Sequence, residues 1–206
     1  MEINYKQLTA MQLDALKEVG NIGAGHAATA LSQITGRTIM ISVCNVILVP
    51  IGQISQIIRE EKEESVVISL KLLGDVLGGI ILIMPMKNAL ALADIIKHEP
   101  LGTTHMLSEI DMSGLKESGS ILAISYLRAI GDMINKLLLP STPELAVGEI
   151  SEITDIILSN LSKRVEIAFC IETEFVESTN KIKGYFLLVP EVNSLQIIFK
   201  ALGLNK

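Results

Sequence analysis

The chain has 206 residues, enough for one large domain or two small ones with a substantial core. Hydrophobic residues make up 49% and aromatic residues only 3%, so the core is expected to be aliphatic. The net charge is −6 and no basic cluster occurs, which argues against nucleic acid as the main partner. The longest mostly apolar run, 76–86, is too short to cross a bilayer, and residues 1–7 lack the apolar stretch of a signal peptide. We therefore expect a cytoplasmic protein with no membrane partner.

The cysteines and histidines do not form a pattern typical of a redox or metal site. Cys44 and Cys170 each lie within an apolar, strand-like run, which predicts buried and reduced thiols. His26, His98 and His105 form no ligand-spaced set with acidic or cysteine neighbours, so we expect no built-in metal site.

The sequence contains an internal duplication. Residues 8–24 align with residues 107–123 at a constant offset of 99, with seven identities that include a shared Leu-Lys-Glu run. The ends of the two halves also correspond, because GGIILIMP and GYFLLVP are each followed by a helical pattern. We therefore predict one domain made of two repeats, about 8–100 and 107–206, joined near residues 98–104, where Pro and Gly occur.

In chain order, each repeat is expected to form a long helix, strands, a hairpin and a short helix. The first helix should begin near Met11, after a capping box formed by Thr9 and Gln12, and should end at Gly36. Strands are indicated by β-branched residues and by flanking turn residues. They are expected at 38–43, 45–49, 64–73 and 78–84 in the first copy and at 165–176 and 182–189 in the second, where 150–161 should form an extra helix. Hairpin connections imply mostly antiparallel pairing, so we predict an α+β fold with the sheet covered by two long helices.

The segment LKEVGNIGAGHAATAL, residues 16–31, fits both a helix and the G-x-G-x-x-A form of a dinucleotide-binding turn. Such a turn needs a buried apolar strand before its first glycine, whereas the preceding LDALKEV is charged and helical in period. We therefore interpret 11–35 as one helix, and a nucleotide-binding domain would instead require a strand before Gly23. The apolar stripe of this helix recurs at about 100° per residue and comprises Leu13, Leu16, Gly20, Gly23, Ala24, Ala27, Leu31 and Ile34.

Glycines inside this helix need compensation, because each costs roughly 0.5–1 kcal/mol relative to alanine. Gly20 and Gly23 lie on the apolar stripe, where a missing side chain lets another backbone approach closely. We expect this face to pack tightly on the sheet or on the second long helix, which carries Gly119, Ala123 and Gly131.

The opposite face carries Asp14, Glu18 and Asn21 at positions i, i+4 and i+7, which we call the polar ridge. From spacing alone, such a ridge is typical of a solvated helix face. No Ser/His/Asp or Cys/His set and no deeply acidic cluster competes with it elsewhere in the sequence.

The polar ridge resembles the signature of the CheC, CheX and FliY family of bacterial chemotaxis phosphatases. That signature is Asp or Ser, three residues, Glu, two residues, Asn, and then Pro about 23 residues further on. The likeness covers nearly the whole chain, and the length and the two copies of the signature are nearest to CheC proteins. The resemblance implies a phosphatase that dephosphorylates the phosphorylated response regulator CheY.

The resemblance also implies a role for each residue of the ridge. Asn21 would orient the attacking water, Glu18 would dock the regulator by pairing with one of its lysines, and Asp14 would flank the contact surface. An amide suits the first task because it donates and accepts hydrogen bonds without charge. The acyl phosphate and its Mg²⁺ would belong to CheY, so no cofactor of the chain's own is expected.

The chain departs from the family signature at two positions. In the second copy Ser113 and Glu117 match and Pro143 lies 23 residues after Ser120, but Ser120 replaces the asparagine. A serine hydroxyl is shorter than an amide, so we predict that this second site docks weakly and catalyses little. In the first copy Cys44 replaces the proline, which puts the rigidity of the local backbone in question.

The resemblance leaves a second function open. CheC proteins also bind CheD, a receptor-modifying deamidase, so the chain could be chiefly a CheD partner or a sensor of phosphorylated CheY. The segment ISEITDIILSNL of the second copy could carry the CheD surface, although it also reads as an ordinary packing helix.

Overall fold

The computed structural model describes residues 10–54, 64–150, 152–153, 167–177 and 180–201. This part of the chain forms an α+β fold with four bounded α-helices and one seven-stranded sheet. The helices are α1 (Ala10–Thr35), α2 (Met86–Ile96), α3 (Glu109–Ile134) and α4 (Val192–Ala201). The strands are β1 (Ile39–Pro50), β2 (Glu64–Gly74), β3 (Gly78–Pro85), β4 (Leu138–Pro140), β5 (Glu144–Glu149), β6 (Ile167–Glu177) and β7 (Asn180–Pro190).

The sheet exchanges strands between the two halves of the chain. Its order is β1-β6-β7-β3-β2-β4, with β5 also paired to β2, and all the described pairs are antiparallel. The first strand of each half therefore pairs with the hairpin of the other half, and β3 and β7 meet at the centre. The predicted fold class is confirmed, and so are the two predicted hairpins. The division into repeats at about 8–100 and 107–206 stays a prediction.

One strand occupies the region where two short strands were predicted. β1 runs from Ile39 to Pro50, and its register against β6 shifts between Val43 and Asn45, so that Cys44 has no residue opposite it. An unpaired residue of this kind is a β-bulge, which bends a strand without ending it. The predicted break was wrong because the bulge absorbs the irregularity.

In the second copy the strand is interrupted at the position that corresponds to Cys44. Shifted by 99 residues, β1 corresponds to 138–149, which is divided into β4 and β5 around Pro143. Proline cannot donate a ladder hydrogen bond and is largely confined to edges and bulges of sheets. Cys44 thus permits a continuous strand in the first copy, whereas Pro143 lies in the interruption between β4 and β5 in the second copy.

The bulge also corrects the prediction that both thiols are buried. Cys44 is exposed, whereas Cys170 is buried as predicted. A bulge adds one residue and thereby interrupts the regular alternation of inward and outward side chains. The sequence pattern around Cys44 is that of a regular strand and gives no sign of this interruption.

Each face of the sheet carries apolar residues. The two long helices cover one face, where the main core includes Leu31, Leu115, Tyr126, Phe186 and Phe199. A second cluster lies around Val67, Ile81, Cys170 and Leu187, and Ile54 and Ile150 pack into it. The rings of Tyr126 and Phe186 stack with centroids 4.6 Å apart.

The ends of the long helices have recognisable signals. Gly36 follows α1 with a φ of +61°, as expected of a helix-terminating glycine. Ser108 caps α3 in a capping box with Asp111, whereas the predicted box at Thr9 and Gln12 falls outside the described residues. The predicted burial of Ile34 was wrong: its exposed fraction is 55%, because Thr35 takes the inward position and its hydroxyl donates to the Leu31 carbonyl.

The joint between the halves is held by a buried carboxylate. Asp94 at the end of α2 accepts hydrogen bonds from the backbone N–H groups of Gly102, Thr103 and Thr104, and from the Thr104 hydroxyl. These bonds fix the turn that leads into α3.

The predicted helix at 150–161 begins at Ile150, and most of it lies outside the described residues. Among the helices that are described, none combines the length and the apolar character needed to span a bilayer.

Candidate functional site

Helix α1 passes through Gly20, Gly23 and Gly25 without a break. A dinucleotide-binding turn would need a strand before Gly23, and the residues before it are helical. The G-x-G-x-x-A match is therefore coincidental, and this segment does not use a glycine-rich turn to bind a phosphate.

The polar ridge lies on the outer surface of α1. Asp14, Glu18 and Asn21 are all exposed, as their spacing predicted. Glu18 and Asn21 are three residues apart, which corresponds to about 4.5 Å along the helix axis and neighbouring positions on one face. A carboxylate and an amide therefore stand next to each other, facing away from the protein.

The inner surface of α1 is packed closely. A Cβ atom added to Gly20 would lie 3.3 Å from Cγ2 of Val43 in β1, and one added to Gly23 would lie 2.9 Å from Cα of Tyr126 in α3. The first glycine thus faces the sheet and the second faces the other long helix, so the predicted close packing is confirmed on both sides. This packing fixes the helix behind the polar ridge.

The second copy repeats this arrangement with one difference. Ser113 and Glu117 are exposed on α3, but Ser120 is only half-exposed. Behind them, a Cβ atom on Gly119 would lie 2.9 Å from Cδ1 of Ile68, so α3 is also held tightly on the sheet. The second copy therefore presents a carboxylate without an amide beside it.

Sequence reasoning missed two exposed apolar residues beside these groups. Ile22 follows Asn21 with an exposed fraction of 46%, and Ile124 lies one turn after Ser120 with an exposed fraction of 52%. Both could be placed on the outer side of their helices by the same 100° periodicity that identified the polar ridge. Each places apolar surface next to the polar groups of its helix.

Two small cavities in the described part of the interior offer no alternative site of reaction. A cavity of about 40 Å³ beneath α3 is bounded mainly by apolar side chains such as Leu82 and Leu115, and one of about 20 Å³ beneath α1 is bounded by residues such as Leu16 and Val46. Neither cavity has the charged groups that recognition of a phosphoryl group requires. In the described parts of the chain, no three His, Cys, Asp or Glu side chains lie close enough together to hold a metal ion. The exposed polar ridge and the corresponding groups on α3 are therefore the strongest candidates for function.

Comparison with known proteins agrees with this location. Residues 11–47, which contain the polar ridge, match the model of the CheC-like family. The chain is 32% identical to the CheY-P phosphatase CheC of Bacillus subtilis over 93% of this chain and 94% of that protein. It is 27% identical to the flagellar motor switch phosphatase FliY of the same organism over 70% of this chain and 38% of that protein.

The fold is also shared with a solved structure. The crystal structure of FliY from Thermotoga maritima superposes with a TM-score of 0.76 at 22% identity, covering 95% of this chain and 98% of that one. This likeness shows a common fold. Together with the 32% identity to CheC over nearly the full length of both chains, it shows that this chain belongs to the CheC-like family.

Proposed function

We propose that this protein is a phosphatase that hydrolyses the aspartyl phosphate of the response regulator CheY. The observation that carries the proposal is the exposed pair of Glu18 and Asn21 on α1, within the segment that matches the family model. The relative with 32% identity is a CheY-P phosphatase, which supports the same activity here. We also propose a cytoplasmic location for the reaction.

In this proposal Asn21 enters the active site of the regulator and positions a water molecule in line with the phosphorus atom. The water oxygen bonds to phosphorus, the bond from phosphorus to the regulator's aspartate oxygen breaks, and inorganic phosphate leaves. The amide accepts a hydrogen bond from the water and donates one to the phosphoryl group without bringing a negative charge close to it. Asn21 would contribute by positioning the water molecule, while Mg²⁺ in the regulator's site would neutralise the phosphoryl charge.

Glu18 would hold the regulator by pairing with one of its lysines. The carboxylate stands one turn before the amide, so docking at Glu18 would direct Asn21 toward the phosphoryl group. The close packing of Gly20 and Gly23 supports this role, because a helix fixed from behind keeps both groups at a constant separation. Asp14 lies one turn before Glu18 on α1 and would flank the contact.

The second site would dock weakly and catalyse little. Glu117 and Ser113 are exposed as in the first copy, but Ser120 is half-buried and its hydroxyl is shorter than an amide. We therefore expect turnover to depend on Asn21 and hardly at all on Ser120.

The test is phosphate release from CheY charged with acetyl phosphate. We expect Asn21→Ala to lower kcat on the order of 100-fold, because mispositioning of a reacting group costs about this much, and Ser120→Ala to retain nearly full activity. Gln33→Ala, an exposed change two turns beyond Gly25 on α1, is the matched control. Undiminished turnover in Asn21→Ala would exclude the first site, and equal losses in both serine and asparagine variants would exclude the asymmetry.

Binding of CheD stays a prediction from the family resemblance. If the chain were chiefly a CheD partner, it would retain CheD in a pull-down without charged CheY and would release phosphate no faster than CheY alone. If it is chiefly a phosphatase, it should release phosphate faster than CheY alone and should not retain CheD in the pull-down.

A further inference from the structure

Gly25 is a helix glycine that the packing of the described residues does not require. It lies inside α1, and a Cβ atom added to it would meet no atom of the described parts of the chain within 4 Å. This distinguishes it from Gly20 and Gly23, whose missing side chains let the sheet and α3 approach. Because glycine is among the weakest helix formers, its presence at an open, unstrained position calls for a reason outside the fold.

The position of Gly25 suggests that reason. At 100° per residue, Asp14, Glu18, Asn21 and Gly25 fall within about 60° of one another around the helix axis, so Gly25 continues the polar ridge by one turn. Side chains on a helix lean toward its N-terminus and cover the turn before their own Cα. A side chain at position 25 would therefore lie over the surface next to the Asn21 amide.

The second copy has a large residue at the corresponding position. Ile124 follows Ser120 by four residues, as Gly25 follows Asn21, and its exposed fraction is 52%. Its branched side chain leans toward Ser120, which is half-buried, whereas Asn21 is exposed. The two copies thus differ in the space around the catalytic position as well as in the residue that occupies it.

We propose that Gly25 is a specificity-determining contact residue, which leaves room for the backbone of the phosphorylated regulator to close over Asn21, and that Ile124 denies this room at the second site. The inference rests on the proposed phosphatase function and extends it. The side chain of Ile124 keeps the phosphorylated regulator away from the second site, independently of the loss of the amide.

The first test is a graded series at position 25. Gly25→Ala should raise the melting temperature by about 1–4 °C, because alanine favours the helix, and Gly25→Ile should fold at least as stably as the wild type. Gly25→Ile should nevertheless lower kcat/KM for charged CheY about 100-fold or more, because the amide can no longer reach its working position. Gln33→Ile adds the same side chain to another exposed position of α1 and should leave activity unchanged. A purely structural role for Gly25 would move stability and activity in the same direction.

The second test opens the other site. In an Asn21→Ala background, Ser120→Asn alone should recover little activity, while Ser120→Asn with Ile124→Gly should recover at least about 10-fold more. Equal recovery by the single and double changes, or full activity in Gly25→Ile, would overturn the inference while leaving the phosphatase function intact. A wild-type protein that releases no phosphate from charged CheY would overturn the proposed function itself.

Discussion

The Cα atom of Tyr126 in α3 lies so near to Gly23 in α1 that a Cβ atom on the glycine would be 2.9 Å from it. The obstacle is backbone and cannot rotate away. The ring of Tyr126 is completely buried and stacks on Phe186, which fixes it further. This contact joins α1, which carries the polar ridge, to α3, which carries Ser113, Glu117 and Ser120.

Gly23→Ala should therefore destabilise the protein despite alanine's better helix propensity. Overpacking against fixed backbone costs about 1–3 kcal/mol and the propensity gain offsets about 0.5–1 kcal/mol, so we expect a net loss of about 1–2 kcal/mol. Denaturant unfolding monitored by circular dichroism measures it. Gly25→Ala is the matched control on the same helix and should change stability in the opposite direction. Equal effects from both substitutions would contradict the close contact.

The two thiols should react at very different rates. Cys44 is exposed, but partial burial and then the charges of Glu172 and Glu174 raise the pKa of its thiol, so it should react with Ellman's reagent more slowly than a free cysteine at pH 8. Burial, followed by the charge of Glu172, raises the pKa of Cys170 to about 12, so this thiol should react only after unfolding. Cys44→Ser should remove the reaction of the native protein. Two thiols of equal reactivity would contradict both the bulge and the burial.

The sequence predicted the fold well where periodicity and turn residues agree. The hairpin of β2 and β3 and the end of α1 at Gly36 follow from local signals of this kind. The strand exchange could not be predicted, because pairing between distant strands depends on contacts that no local pattern encodes. The bulge at Cys44 was missed for a related reason, since register is set by the partner strand.

The exposed face of the candidate site was predictable from the sequence, but the contacts behind it were not. Helical periodicity alone placed Asp14, Glu18 and Asn21 on one exposed face, and the structure agrees. Periodicity placed Gly23 on the apolar stripe and Gly25 outside it, but it does not distinguish a glycine that meets the sheet, as Gly20 does, from one that meets the backbone of α3, as Gly23 does. That distinction requires the position of α3, which is a tertiary property.

Stability should fall in acid through Asp94. Burial opposes ionisation of this carboxyl, but the hydrogen bonds from the side chain and backbone of Thr104 and from the backbone of Gly102 and Thr103 outweigh it and lower its pKa. The resulting stabilisation is fully present above the unfolded-state pKa of about 3.9 and is lost as the pH falls through the lower folded-state pKa. Asp94→Asn should cost about 1–3 kcal/mol at pH 7, and the difference from wild type should shrink below pH 4. Asp132→Asn, an exposed change on α3, serves as control, and parallel curves for wild type and Asp94→Asn would contradict the prediction.

Glu18 and Asn21 should affect different kinetic constants, because one is proposed to dock the regulator and the other to orient water. Glu18→Gln preserves the shape of the side chain and removes its charge, so KM for charged CheY should rise about 10-fold with kcat nearly unchanged, as expected when an interaction contributes equally to the ground and transition states. Asn21→Ala should instead lower kcat. Steady-state phosphate release at several regulator concentrations separates the two effects.

Ionic strength provides an independent check on the same pair. Salt screens a charge pair at an exposed interface, so wild-type KM should increase between low and high salt, and this increase should be smaller in Glu18→Gln. Glu144→Gln makes the same charge change on β5, at the opposite edge of the sheet from β1, and should keep the wild-type salt dependence. A Glu18→Gln protein with normal KM but reduced kcat would reassign the carboxylate from docking to the chemical step. The separation of the two roles along one turn of α1 would then be wrong, even if the phosphatase activity itself were confirmed.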